Sequence, residues 1–159
     1  MNPIIFIVLG GISGTILEQS ARHQVLRKAR EVARGKPIIN IGCGKYNFGD
    51  VNVDVAPRNV PNFILGNAYN LWQFRDKQFG AAIISHVAEH LEYPDLALQE
   101  AQRVADHVFV LTPTPLNFFA WVHPDHKRIY FGRKSIGINP IFNILLIGSI
   151  VGFMLLNKK

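Results

Sequence analysis

The chain has 159 residues, with 17 Lys and Arg against 11 Asp and Glu, and a single cysteine. This length fits one domain, and one cysteine excludes both an internal disulfide framework and a multi-cysteine metal site. Hydrophobic residues make up 48% and charged residues 18% of the chain. That composition is apolar for a water-soluble protein and ordinary for a globular domain that carries membrane segments.

Residues 3–17 (PIIFIVLGGISGTIL) are uncharged and mostly apolar. The run is shorter than the about 20 residues that a helix needs to cross a bilayer. It is typical of an uncleaved anchor, of a tilted or partly inserted helix, or of a signal peptide. A signal peptide is disfavoured, because no basic residue precedes the apolar core and an A-x-A cleavage pattern is missing. We interpret residues 1–17 as an N-terminal apolar anchor.

Helical periodicity follows in residues 18–35, where Ala21, Val25 and Ala29 recur on one side and basic residues on the other. Gly35 ends the pattern. A helix of this kind either packs on a sheet or lies on anionic lipid headgroups.

Five short apolar runs, each bounded by Gly, Asn or Pro, predict strands that are buried on both faces, because their apolar residues run together instead of alternating. The strands are predicted at residues 37–41, 51–55, 63–65, 80–84 and 107–111. Between the last two, a stripe that includes Leu96, Ala101 and Val104 predicts a helix over residues 93–105. This order of elements predicts an α/β fold with a doubly wound, mostly parallel sheet.

Prolines exclude a long regular element between residue 111 and the last apolar run. That run, residues 141–156, extends upstream to Ile136 and predicts a C-terminal transmembrane helix over residues 136–159. Basic residues follow the first apolar run and precede the last. By the positive-inside rule, the middle domain, residues 18–135, is therefore expected on the cytoplasmic face of a membrane. The net charge of +6 would also suit nucleic acid, but its placement favours a membrane surface as the partner.

A glycine-containing loop follows the first predicted strand, and a carboxylate lies at the end of the second. The first strand runs into Gly42, Cys43 and Gly44, where the two glycines let backbone amides approach a ligand closely. Open α/β sheets bind nucleotides at such a loop. Asp54 ends the next strand, where a carboxylate can accept both hydroxyl hydrogens of a ribose. The pair predicts an adenosine-containing ligand, whereas a tight turn alone would also explain the glycines.

Motifs continue in order beyond this loop. The first comprises Asn40, Gly42, Cys43 and Gly44, then Gly49, then Asn52, Val53 and Asp54. Four more follow: GNA at 66–68, LWQF at 71–74, SHVAEHL at 85–91, and Glu100 with Arg103 and Val104. In this order, residues 37–112 resemble the small class I S-adenosylmethionine-dependent methyltransferases of the type 11 kind, in the branch that reads N-x-G-C-G and then N-V-D.

The resemblance implies S-adenosylmethionine as the cofactor and a Rossmann-like methyltransferase fold. It further implies that Asn67 reads the adenine amino group through its carbonyl, where the family usually has Asp. The implied cofactor-binding residues are Gly42, Cys43, Gly44, Asp54, Asn67, Ala68 and His86.

The sequence departs from the family at three points. Tyr46 stands in place of the usual third glycine, and only residues 45–50 separate the first loop from the second strand. A full crossover needs at least about 10 residues, so the first crossover helix must be reduced to a turn or loop. The last two strands of the family are missing or replaced by the apolar tail, which makes the fold C-terminally truncated.

Two histidine clusters have competing interpretations. His86, Glu89 and His90 satisfy H-x-x-E-H, a zinc-peptidase pattern, but no helix of useful length fits after the buried strand. We therefore predict a turn beside the ligand and no metal site. His126 or His123, oriented by Asp125, is a candidate general base because an imidazole titrates near neutral pH; a plain turn is the alternative.

These observations predict a membrane-tethered S-adenosylmethionine-dependent methyltransferase that acts on an unknown, membrane-associated acceptor, with His126 and Asp125 as catalytic candidates. The alternative is a catalytically degenerate accessory subunit of a larger membrane complex, with other membrane-protein subunits as partners. The shortened crossover, the missing strands and the two apolar ends favour this alternative. No nucleic acid partner is expected.

Overall fold

A computed structural model describes residues 3–115, 117, 120–121, 123–131 and 134–138 of the chain. The elements in chain order are α1 (Pro3–Ala33), β1 (Ile38–Ile41), β2 (Val51–Asp54), β3 (Phe63–Leu65), β4 (Phe79–Ser85), α2 (Pro94–Val104), β5 (Ala105–Leu111), β6 (Arg128–Phe131) and β7 (Lys134–Gly137). The predicted order from the first helix to the fifth strand is confirmed.

Strands β1 to β5 form one parallel sheet in the order β3-β2-β1-β4-β5. Strand β1 is central, and its Ile41 aligns with Val53 of β2 on one side and Ile84 of β4 on the other. The chain moves outward from β1 to β3 and then returns to β4 beside β1. Such a reversal of strand order opens a crevice at the carboxyl ends of the strands, where α/β sheets bind ligands.

Alternate residues of the central strands face opposite sides of the sheet. One side packs against the C-terminal part of α1 and the other packs against α2, which confirms a doubly wound sheet. The α1 side contains Ile38, Ala81 and Ile83 with Ala29 and Ala33 of the helix. The α2 side contains Ile39, Ile41, Ala82 and Ile84 with Ala101 and Val104 of the helix.

Burial on both faces was predicted for all five strands, and this is wrong for β3 and β5. Leu65 in β3 is 59% exposed and Val110 in β5 is 45% exposed. The reason is their position: β3 and β5 are the edges of the five-stranded sheet, and residues 55–78 around β3 contain no helix that would cover it. An apolar run can therefore belong to an edge strand.

The connection from β1 to β2 spans nine residues, 42–50, and contains no helix, as its length predicts. Two buried asparagines at paired positions of the strands, Asn40 and Asn52, support it instead. Asn40 donates to the Tyr46 carbonyl at 2.9 Å and to the Asn52 carboxamide oxygen at 3.0 Å. The side-chain nitrogen of Asn52, Nδ2, lies within hydrogen-bond distance of the Asn47 Oδ1 atom and of the carbonyls of Gly49 and Pro61, to which it donates.

The outer side of this connection is aromatic. Tyr46 stacks on Phe48 with ring centroids 5.3 Å apart, and the Arg22 guanidinium of α1 lies 4.4 Å from the centre of the Tyr46 ring. Arg30 of α1 contacts both carboxylate oxygens of Asp50, at 2.9 and 3.0 Å. Tyr46, which stands where the resembling family usually has its third glycine, thus connects the short loop to α1 through a cation–π contact.

The chain divides into two compact units, Gln19–Thr112 and a second one that contains the described residues before 19 and after 112. In the second unit, β6 and β7 pair antiparallel, with Ile129 opposite Ile136. Asn117 donates to the Glu18 carboxylate at 2.8 Å in the same unit. Among the described residues, the hairpin forms its own two-stranded sheet.

Observed elements cross the predicted boundaries at both ends. Helix α1 is continuous over 31 residues and passes through the expected boundary between residues 17 and 18. Ile136 and Gly137, predicted as the start of a transmembrane helix, lie in β7, because β6 supplies backbone partners for an extended segment. Ile138 follows β7, and its amide donates to the Lys127 carbonyl at 2.9 Å; residues 139–159 of the predicted helix lie outside the described residues. No helix in the described part of the chain has both the length and the apolar character needed to span a membrane.

We expect Asn52→Ala to lower the free energy of unfolding by roughly 2–4 kcal/mol, because it removes one of the two acceptors of the buried Asn40 side-chain amide and the donor to three oxygens. Chemical denaturation monitored by circular dichroism measures this change. The matched control is Gln102→Ala on the exposed face of α2, which should change stability by less than about 0.5 kcal/mol. Equal stability of the two variants would contradict the role given to Asn52.

Candidate functional site

A cleft of about 450 Å³ lies in the first unit, at the carboxyl ends of the central strands. Six of the seven predicted cofactor-binding residues line it: Gly42, Gly44, Asp54, Asn67, Ala68 and His86. Cys43, the seventh, is buried and is not among the lining residues. The reversal of strand order between β1 and β4 brings these residues together, although they lie up to 44 positions apart in the chain.

The glycine loop enters the cleft in a backbone conformation that suits glycine. Gly42 and Gly44 have positive φ angles of 71° and 53°, which residues with a Cβ adopt at a cost. A Cβ on Gly42 would also collide with the Val87 side chain, whereas a Cβ on Gly44 would meet no atom within 4 Å. Position 42 therefore requires glycine both for its backbone conformation and because Val87 leaves no room for a Cβ. Position 44 favours glycine for its backbone conformation alone.

Asp54 is the charged centre of the cleft. Its side chain is only 8% exposed, and it accepts hydrogen bonds from the backbone amides of Gly44 at 2.8 Å and Ala56 at 3.0 Å and from Arg58 at 3.2 Å. Burial raises the pKa of this carboxyl, but the two amides and the Arg58 guanidinium outweigh burial and hold the pKa below its usual value. Asp54 is therefore a carboxylate at neutral pH.

Asn67 follows the end of β3 and lines the same cleft. Its carboxamide oxygen accepts a hydrogen bond from the Tyr69 amide at 3.0 Å, which makes a local turn of the Asx kind. The predicted contact with an adenine amino group would use the second lone pair of this oxygen. This contact stays a prediction.

His86 begins the turn that follows β4. Its φ angle is 57°, and its amide donates to the Leu111 carbonyl at 2.7 Å. Its Nδ1 lies 3.5 Å from a carboxylate oxygen of the buried Glu89. Residues 86–91 form bends and turns with no helix, which agrees with the turn predicted for this segment.

The loop that carries Asn67 and Ala68 is anchored to α2 by an ion-pair cluster. Arg103 contacts Glu100 at 2.6 Å and donates to the carbonyls of Leu71 and Phe74, both at 3.0 Å. Glu100 in turn accepts from the Leu71 amide at 3.2 Å. Chiefly because of Arg103, the pKa of Glu100 lies below its usual value. Sequence motifs identified both residues, but their bonds to the loop became visible only in the structure.

The catalytic candidates belong to the second unit. His126 is buried, its Nδ1 lies 2.8 Å from the Ala120 carbonyl, and its ring stacks on His123. The Asp125 amide donates to His123 Nδ1 at 3.3 Å. Residues 124–125 form a turn, as the plain alternative for this segment expects. The general-base role of His126 or Asp125 stays a prediction.

Aromatic residues near these histidines pack locally where they are described. Trp121 donates its indole N–H to the Pro115 carbonyl at 2.7 Å and meets the Phe131 ring edge-on, with centroids 6.2 Å apart. Phe118 and Phe119 lie outside the described residues. For Trp121, these contacts support packing within the second unit.

Arg58 and Val55 also line the cleft and were missed by the sequence analysis. Val55 directly follows Asp54, and Arg58 stands four positions after Asp54, a spacing at which an ion pair is possible only if the connecting backbone turns. Because residues 55–62 carry no periodic pattern, no signal in the sequence pointed to that turn.

Comparison with known proteins agrees with this geometry. Residues 43–107 match the family model described as a methyltransferase domain. The crystal structure of a SAM dependent methyltransferase from Archaeoglobus fulgidus is similar, with a TM-score of 0.53 and 18% identity over 83% of this chain and 67% of that chain. A search of curated proteins finds no match. The chain thus has a methyltransferase-like segment at its centre and the fold of a class I methyltransferase. The N-x-G-C-G branch of that class stays a prediction.

We expect Arg103→Met to lower the free energy of unfolding by about 2 kcal/mol at neutral pH, because it removes hydrogen bonds to Glu100 and to two loop carbonyls. Glu100 has a lowered pKa in the folded protein, so its contribution is present above its ordinary value of 4.5 and is lost as the pH falls through the folded value. The stability gap between the wild type and the variant should therefore narrow in acid. Denaturation curves at several pH values measure the gap, and a constant gap would contradict this account.

Proposed function

We propose that the cleft between the glycine loop and Asp54 binds S-adenosylmethionine and that the protein transfers its methyl group to an acceptor. The observation that carries this proposal is that Gly44 and Asp54, from two different strands, line one cleft at the reversal of strand order. The match to the methyltransferase domain model and the methyltransferase fold support it.

The residues of the cleft fit such a cofactor. Its volume of about 450 Å³ lies in the range of small-molecule sites. The Asp54 carboxylate is an acceptor for ribose hydroxyls, and Val55, which is 74% exposed and lines the cleft, offers an apolar surface to a flat base. The open space beside Gly44 lets a ligand approach the loop backbone.

S-adenosylmethionine supplies a sulfonium methyl that is already a strong electrophile. The part left to the protein is to hold the two reactants in line and to exclude water. Gly42, Gly44 and Asp54 would fix the nucleoside end. His126 or Asp125 would take the proton of an oxygen or nitrogen acceptor, as the sequence analysis predicts.

Calorimetry with S-adenosylmethionine tests the proposal. We expect Asp54→Ala to weaken binding about 10-fold or more, because hydrogen bonds to a charged acceptor are lost. The matched control is Asp106→Ala, a carboxylate at the opposite end of the sheet that pairs with Lys36, which should bind as the wild type does. Absence of binding by the folded wild type, or equal affinity of Asp54→Ala, would overturn the proposal.

A second candidate is an accessory subunit that keeps the fold without the activity. It is favoured by the absence of a crossover helix in residues 42–50, since that side of the loop is supported by Tyr46 and the asparagine pair instead. Co-purification with membrane subunits in a fixed ratio, together with no binding of S-adenosylmethionine, would establish this candidate over the first.

We propose in addition that the protein contacts a membrane through residues 3–17, with the first unit on the cytoplasmic side. The apolar composition of this segment and the basic residues that follow it support this. The full chain should float with anionic lipid vesicles, and Ile7→Asp with Val8→Asp should reduce flotation because charges are costly in lipid. Gln102→Asp is the control for added charge. Equal flotation of both variants, or none by the wild type, would contradict the proposal.

A further inference from the structure

The carboxylate of Asp54 is almost fully used by the protein itself. Each of its two oxygens has two lone pairs in the plane of the group. One oxygen, Oδ1, accepts from the Ala56 amide at 3.0 Å and from Arg58 at 3.2 Å, and Oδ2 accepts from the Gly44 amide at 2.8 Å. Three of about four acceptor positions are therefore occupied, and both positions on Oδ1 are among them.

A ribose with two free hydroxyls binds a carboxylate most strongly when each hydroxyl donates to a different oxygen. At Asp54, one such position is open on Oδ2 and none is open on Oδ1. A donor must leave Oδ1 before a two-point contact can form. The Ala56 amide belongs to the backbone two residues after Asp54 and is held in place by the chain.

Arg58 is the donor that can leave. Its contact is the longest of the three, and its side chain is 42% exposed whereas that of Asp54 is 8% exposed. Because the Arg58 end of this ion pair is accessible to solvent, water and salt screen it, and a long side chain must be ordered to make it. Arg58 also lines the cleft itself, so its positive charge faces any ligand there.

We infer that Arg58 determines the affinity and charge preference of the cleft by competing with the ribose hydroxyls for Asp54. This inference rests on the proposed function. In the free protein Arg58 closes the acceptor on Oδ1, and the ribose of the ligand displaces it. The guanidinium, once displaced, disfavours a ligand with a net positive charge relative to a neutral ligand of the same shape.

S-adenosylmethionine and S-adenosylhomocysteine are the matched pair of ligands, because they share the ribose and differ by the methyl and the positive charge of the sulfonium. Calorimetry with both ligands compares the wild type with Arg58→Met, which keeps an unbranched apolar side chain and removes the charge and the donors. Arg58→Gln is a second variant without charge. Arg75→Met is the control, an exposed arginine that does not line the cleft.

We expect Arg58→Met to bind S-adenosylmethionine about twofold to fivefold more tightly than the wild type, the range that a solvent-screened ion pair contributes. The gain for S-adenosylhomocysteine should be smaller, because only the release of the Asp54 acceptor acts on a neutral ligand. Raising the salt concentration should reduce the difference in S-adenosylmethionine affinity between Arg58→Met and the wild type, since salt screens both the ion pair and the repulsion. Arg75→Met should bind both ligands as the wild type does.

The outcomes separate this inference from the proposed function. If the wild type binds S-adenosylmethionine and the variants Arg58→Met and Arg58→Gln bind it equally or more weakly, the inference is overturned and the proposed function stands. Binding by the two Arg58 variants and not by the wild type supports both. No binding by any of the folded proteins, as judged by their thermal unfolding, overturns the proposed function and the inference with it.

Discussion

The hydrogen bond from the Gly44 amide to the Asp54 carboxylate, 2.8 Å long, joins the loop after β1 to the end of β2, and the geometry of the cleft depends on it. Gly44 has a positive φ angle at this point, and its amide donates across to the carboxylate at the end of the neighbouring strand. Below it, Asn40 and Asn52 pair across the same two strands. The charged acceptor and the bare loop are thus held together by bonds between β1 and β2.

The short connection between these strands explains why so many polar groups are buried there. In a full crossover, a helix would cover the sheet and satisfy its own backbone groups. Residues 42–50 contain no helix, so the carbonyls of Tyr46 and Gly49 take their hydrogen bonds from Asn40 and Asn52. A compact loop of this kind keeps Gly42 and Gly44 at the cleft without a crossover helix. Both proposals, the enzyme and the accessory subunit, start from this combination.

Much of the fold was predictable because its signals are local. The predicted ends of the five strands and of α2 differ from the observed ends by at most two residues. Short apolar runs and a helical stripe identify such elements directly. Six of the seven predicted cofactor-binding residues line the cleft for a related reason: residues that end parallel strands meet at one edge. The exposure of β3 was not predictable, because it depends on the absence of a covering helix in residues 55–78. The extended backbone at Ile136 depends on pairing with Ile129 of β6, which an apolar run by itself does not indicate.

The sequence by itself determined the doubly wound sheet, the conformation of the glycine loop and the place of the carboxylate, because periodicity, positive φ and strand ends are properties of short segments. Only the tertiary structure decided that Arg58 turns back onto Asp54, that Arg103 holds the loop after β3, and that two asparagines replace a helix. Those contacts join segments whose mutual distance no local pattern encodes. They arise when the packing of the sheet brings side chains together and buried polar groups must find partners.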